Sequence, residues 1–208
     1  LAGLMTGVAL VRSGRADALC FAPLNTGALR AGGMNHPDEL HWFAEVLGHK
    51  GAHSEFNVLD GLWTCRVTSH VALREVADLI TPEKVIGAVA LIRDALVQAG
   101  IERPRIAVCG LNPHNGDNGA FGREEIEIIG PALEEARRRG LPCEGPYPAD
   151  TIFLRAQPKA DGTRDVDAIV TMYHDQGQIA MKLMGFWRGI TVAGGLPVPC
   201  LLYTSRRG

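Results

Sequence analysis

Met172-Tyr173-His174-Asp175-Gln176-Gly177-Gln178-Ile179-Ala180-Met181-Lys182 brings an imidazole, a carboxylate, two amides and an ammonium into eleven residues. A neutral His174 can ligate a metal, Asp175 can orient or charge the site, and Lys182 can meet an anion or move a proton. The preceding run, 167–172, reads as a buried strand, and Gly177 reads as opening a turn. A polar cluster at the carboxyl end of a strand is where open α/β sheets place their ligands. The same residues also fit a plain polar turn between two core elements, because short motifs match by chance.

Two further histidines share that placement. His70 closes Thr68-Ser69-His70 after a strand-like run from Leu62, and His114 lies in the loop that follows Arg105–Gly110. In a parallel sheet these strand ends lie on one edge. Three neutral imidazoles with an open position suit a catalytic divalent ion acting as a Lewis acid. His36, His41, His49 and His53 match neither HExxH nor a zinc finger, and read as solvated or hydrogen-bonded side chains. The loop 111–122 imitates a dinucleotide fingerprint, but Gly116, Gly119 and Gly122 give GxxGxxG in place of GxGxxG. Its Asn112, His114, Asn115, Asp117 and Asn118 suit a metal or substrate loop better.

The elements that must carry these groups alternate between strand and helix. Leu4, Val8 and Val11 form a helical face, then 18–22 reads as a short strand ended by Pro23. Leu24-Asn25-Thr26-Gly27 reads as a loop facing a substrate, or as a plain connection with Thr26 as N-cap. A helix is expected over 38–47, and another after the Thr81 cap with Pro82 at its first position. Val85, Val89, Ile92 and Leu96 form the buried stripe of the latter, and Gly100 ends it. A third helix starts at Arg123-Glu124-Glu125 and runs through Ile126, Ile129 and Leu133 to Gly140. Residues 145–151 read as a rigid turn, and 189–193 as a last strand.

With 208 residues, 46% of them hydrophobic and 21% charged, and a net charge of −2, the chain fits one domain or two small lobes. No basic footprint for nucleic acid and no apolar run of about 20 residues for a membrane helix is present. Five spaced cysteines without CxxC read as reduced thiols in a cytoplasmic protein. The chain opens mid-helix at Leu1, so a missing start is expected. Residues 200–208 read as a non-native tail without an element of its own, which leaves 1–199 as a catalytic domain truncated at both ends.

Thr68-Ser69-His70, Gly110-Leu111-Asn112-Pro113-His114, Gly145-Pro146 with Pro148-Ala149-Asp150-Thr151, and Met172 to Gly177 together resemble the 4-hydroxythreonine-4-phosphate dehydrogenase family, in the same order over residues 1–199. The resemblance implies an α/β fold: an α/β/α two-lobed subunit like isocitrate and isopropylmalate dehydrogenases, working as a homodimer with shared sites. It implies His70, His114 and His174 as ligands of a divalent metal (Zn, Mg, Co or Mn), completed across the dimer. It puts Lys182 at the family's substrate-binding lysine and Thr191 at a substrate-binding asparagine. The family's His-Thr pair aligns with Glu39-Leu40, its Asn-Lys with Asn25-Thr26, and a substrate-contacting arginine with Cys200. Asn115 to Gly119 and Gly194 to Pro197 look closer to the subgroup acting on 4-phospho-D-threonate or 4-phospho-D-erythronate.

The expectation is therefore NAD-dependent oxidation and decarboxylation of a phosphorylated four-carbon hydroxy acid, giving dihydroxyacetone phosphate. Lys182 binds the substrate anion and relays a proton, and Asp175 orients histidines or accepts a proton. No residue is assigned to the nicotinamide cofactor. The alternatives are the pyridoxal phosphate pathway enzyme itself, a metal-dependent hydrolase using Asp175 or Glu124, and an inactive metal-binding fragment.

Overall fold

The computed structural model describes residues 1–36 and 38–203. Its elements, in order, are α1 (Ala2–Arg12), β1 (Leu19–Phe21), α2 (Thr26–Ala31), α3 (Glu39–Val46), β2 (Ser54–Leu59), β3 (Leu62–Arg66), α4 (Val76–Leu79), α5 (Pro82–Gln98), β4 (Ile106–Cys109), α6 (Gly130–Arg138), β5 (Cys143–Tyr147), α7 (Ile152–Arg155), β6 (Ala168–Thr171), α8 (His174–Gly185), β7 (Ile190–Gly194) and β8 (Cys200–Tyr203). The strands form one eight-stranded sheet in the order β1-β8-β7-β2-β3-β6-β4-β5. From β3 to β5 every pairing is parallel, whereas β8, β7, β2 and β3 are joined by antiparallel pairings.

The parallel half is buried on both faces, as such sheets must be. Ile106, Val108, Ala168 and Val170 point into a core with α5 and α6. Their neighbours Ala107, Cys109 and Ile169 point the other way, against Ile152, Phe153 and Met181 of α7 and α8. A separate cluster of Leu4, Val8, Trp42, Phe43 and Cys200 holds α1 and α3 at the far end. The α5 stripe is fully buried at Val85, Val89, Ile92 and Leu96. Each contributes roughly 2 kcal/mol of transfer free energy. Thr81 caps that helix, accepting from the Lys84 amide at 3.3 Å. Among the described residues no helix is long and apolar enough to cross a membrane.

Several sequence expectations are corrected. Gly177 opens no turn; it lies inside α8, buried against β6, where a Cβ would stand 3.3 Å from Thr171 Oγ1. Its missing side chain lets the helix lie close on the strand. Asn25, not Thr26, caps α2, accepting from the Ala28 amide at 2.9 Å. Strand β3 stops at Arg66, and Thr68-Ser69-His70 forms the turn beyond it. Gly145-Pro146-Tyr147 belongs to edge strand β5, where a missing N–H is tolerated.

A π-turn over Glu125–Ile129 precedes α6, next to Pro131, which has no N–H to give. The extra residue rotates Ile126 out to solvent while Ile129 and Leu133 stay buried. β7 is not the last strand. Cys200–Tyr203 does form an element, β8, inserted between β1 and β7. Residues 204–208 of the proposed tail lie outside the described residues.

Candidate active site

The carboxyl ends of β3, β6 and β4 lie side by side, with β6 in the middle. His174 begins α8 directly after β6, His70 follows β3 and His114 follows β4. His70 and His174 come together, with ring centroids 5.7 Å apart. His114 lies on the other flank, bordering a recess with Tyr173, Asp175 and Gln176. Among the described residues no group of three His, Cys, Asp or Glu side chains is close enough to hold an ion. The structure therefore joins two of the three expected imidazoles and separates the third within one copy.

The edge is tied together by groups that do no chemistry themselves. Thr68 Oγ1 donates to the Met172 carbonyl at 2.8 Å, fixing the turn that carries His70. Gln176 accepts from the Met172 amide at 2.8 Å and donates to the Gly110 carbonyl at 3.0 Å, stitching β6 to β4. Gln176 thus has a structural partner at each end of its amide.

The His114 loop explains its own placement. Residues 114–118 all have positive φ, a left-handed turn that costs non-glycine residues about 1 kcal/mol or more each. Buried Glu125 holds it. Its Oε1 accepts from the Leu111 and Asn112 amides at 2.7 Å each, and its Oε2 from Asn112 Nδ2 at 2.9 Å. A Cβ on Gly116 would meet Glu125 Oε2 at 2.8 Å. The amides at the start of this loop are therefore already filled by a carboxylate. They do not form a cradle for a dinucleotide pyrophosphate, and no described residue is assigned to that cofactor.

His174 Nδ1 contacts Asp175 Oδ1 at 2.7 Å, and His70 Nδ1 lies 3.4 Å from Asp38 Oδ2. A carboxylate at one ring nitrogen leaves Nε2 as the donor, the usual arrangement for an imidazole that ligates a metal. The donor chemistry of the pair therefore fits a divalent cation. Hydrogen bonding to Asp38 raises the His70 pKa. Partial burial works to raise the Asp38 carboxyl, but hydrogen bonds from His70 and His41 outweigh it and hold it well below the usual carboxylate range. Asp175 is itself 68% exposed at its side chain.

From His174 a cavity of about 350 Å³ runs along α8. His174, Gln178 and Lys182 border it at four-residue spacing, so one helix face carries an imidazole, an amide and an ammonium over roughly 12 Å. The opposite wall is Glu55, Asn57 and Arg66 from β2 and β3, with Thr191 from β7. Asn57 Nδ2 donates to Thr191 Oγ1 at 3.0 Å, and Asn57 Oδ1 accepts from Arg66 and Gln178. Lys182 and Thr191, two of the expected site residues, both border this cavity. Glu55, Asn57, Arg66 and Glu125 were not anticipated. An arginine inside the apolar run Leu62 to Val67 was the available signal for one of them.

The family model described as PdxA, pyridoxal phosphate biosynthetic protein, matches residues 1–204. A Pseudomonas aeruginosa protein provisionally named 4-hydroxythreonine-4-phosphate dehydrogenase 2 is 63% identical over 94% of this chain and 57% of its own length. A Cupriavidus necator protein named D-threonate 4-phosphate dehydrogenase is 44% identical over 92% of this chain and 56% of its own. The crystal structure of a Klebsiella pneumoniae 4-hydroxythreonine-4-phosphate dehydrogenase superposes with a TM-score of 0.84 at 34% identity, covering 97% of this chain and 59% of that one. The chain spans about half the length of the curated relatives it matches.

Proposed function

The chain belongs to the PdxA family, and on that premise we propose that it is the catalytic part of a divalent-metal-dependent dehydrogenase. The substrate is a 4-phosphorylated four-carbon 3-hydroxy acid, 4-phospho-D-threonate or 4-phospho-D-erythronate. Oxidation at carbon 3 by NAD and loss of carbon dioxide give dihydroxyacetone phosphate. The observation that carries this reading is the α8 face, with an imidazole, His174, at one end of the cavity and an ammonium, Lys182, at the other. That spacing suits a ligand with chelating oxygens at one end and a phosphate at the other.

His70 and His174 would hold the ion, which supplies Lewis acidity when bound. Asp175 and Asp38 fix the ring nitrogen that faces away from it. Lys182 binds the substrate anion and relays a proton to it, and Thr191 offers its hydroxyl from the far wall. The third ligand, His114, borders a recess ringed by Ile179 and Leu183, the latter 84% exposed. That uncovered apolar flank supports a homodimer in which a second copy completes the metal set.

The family description and the first of the named relatives favour 4-phosphohydroxythreonine as the alternative substrate. Against it, Glu39 and Leu40 stand where that enzyme's substrate-binding pair belongs. The test is NADH formation by the full-length protein with phosphothreonate, phosphoerythronate and phosphohydroxythreonine side by side. The fastest turnover is expected with one of the two hydroxy acids. Release of product without any NADH would overturn the dehydrogenase reading in favour of hydrolysis.

A further inference from the structure

Arg66 has no role in the chemistry above, yet its side chain is only 4% exposed while it borders the cavity. A buried guanidinium is costly unless its donors are met. Nε donates to Ser69 Oγ at 2.8 Å, Nη1 to Asn57 Oδ1 at 3.0 Å, and Nη2 to the Glu55 carboxylate. A guanidinium carries five N–H groups. Two, one on each terminal nitrogen, therefore have no protein acceptor among the described residues. The side chain is held at two points on β2, Glu55 and Asn57, and at Ser69 in the turn after β3, so those donors are fixed in advance.

We infer that Arg66 is a specificity-determining residue of this cavity: its unused N–H groups take an acceptor oxygen of the substrate. It thereby favours the hydroxy acid over the analogue bearing an ammonium. The inference rests on the substrate class proposed above. D-threonate 4-phosphate and 4-hydroxythreonine 4-phosphate, the two compounds in the relatives' names, differ by a hydroxyl against an amine at carbon 2. A hydroxyl offers lone pairs to a group that only donates. An ammonium offers none and brings a like charge. Glu55, paired with Arg66 through Oε2, offsets the like charge in part, so the preference rests on the acceptor oxygen that only the hydroxy acid supplies.

The experiment is calorimetric binding of both phosphorylated compounds to the full-length protein. Removing Arg66 alone would strand a half-buried carboxylate. The variants are therefore Glu55→Gln/Arg66→Gln, which replaces the ion pair with a neutral one, and Arg66→Lys, which keeps the charge and loses the fork. The wild type should bind the hydroxy acid about tenfold or more tighter than the amine. That ratio should collapse toward one in the double variant and fall measurably in Arg66→Lys. Equal weakening of both ligands, an unchanged ratio, or a wild type that binds neither or prefers the amine overturns the inference. If the double variant does not fold, the Arg66→Lys ratio decides alone. A protein with the expected ratio that forms no NADH refutes the dehydrogenase reading and leaves Arg66's role standing.

Discussion

Replacing Glu125 with Ala removes the carboxylate that anchors the start of the left-handed loop carrying His114, and leaves Asn115, whose Nδ2 donates to the Pro146 carbonyl at 2.8 Å, as a side-chain tie further along it. Three hydrogen bonds are lost, those from the Leu111 and Asn112 amides, which are left stranded, and one of the two from Asn112 Nδ2, which keeps Glu124 Oε2 as its other acceptor. A stranded donor costs roughly 1–3 kcal/mol, and water entering the vacated space offsets part of that. The loop's four non-glycine residues with positive φ, His114, Asn115, Asp117 and Asn118, are then held by neutral bonds alone, chiefly Asn115 Nδ2 to the Pro146 carbonyl and the Phe121 amide to the Gly116 carbonyl. The expected loss is about 3–5 kcal/mol, a large share of the 5–15 typical of a domain. Glu125→Gln is the control. Its oxygen still serves both amides, but its NH2 then faces Asn112 Nδ2, for a loss of about 1–2 kcal/mol. Urea denaturation measures both, and amide exchange over 111–122 should speed up in each variant before global unfolding. A Glu125→Ala variant within about 0.5 kcal/mol of wild type, the range of ordinary surface substitutions, would refute this account of the loop.

Gly194→Ala should destabilise by about 1–3 kcal/mol in the same assay, because its Cβ would stand 1.9 Å from the ring of fully buried Phe56. Partial burial works to raise the Asp167 carboxyl, but hydrogen bonds from Arg105 prevail and its pKa is lowered. A lowered carboxyl contributes stability above its unfolded value of about 3.9 and loses it as pH falls through the folded one. The advantage of wild type over Asp167→Asn should therefore be full at neutral pH and vanish in acid denaturation. Burial pushes the Cys65 and Cys109 thiols up to about 12 and raises Cys143 and Cys200, whereas Cys20 is exposed. Iodoacetamide at mildly alkaline pH should label Cys20 first in the folded protein, as mass spectrometry of tryptic peptides would show; equal labelling of all five would contradict the core.

What was legible in the sequence follows from how many signals agreed at each place. Helix α5 was readable because cap, Pro82, apolar stripe and terminal Gly100 all pointed one way. The strand-end position of the three histidines was readable for the same reason, since apolar runs precede each. Strand β2 was not. Its Glu55-Phe56-Asn57-Val58 does alternate, but over only four residues, and the polar stretch before it reads as loop. Gly177 misled because glycine usually breaks elements, and only the packed sheet shows the close approach to Thr171 that calls for it. Cys200–Tyr203 is too short to declare itself and becomes a strand only between β1 and β7. The separation of His114 depends on sheet order and on Glu125, neither of which spacing along the chain records.

Metal binding tests the central claim without depending on turnover. The full-length protein, stripped with chelator and titrated calorimetrically with a divalent ion, should take up one ion per subunit. His70→Ala and His174→Ala should each weaken that binding by about 100-fold or more, as losing a ligand of a small donor set does. Wild-type affinity in both variants would contradict the site described here.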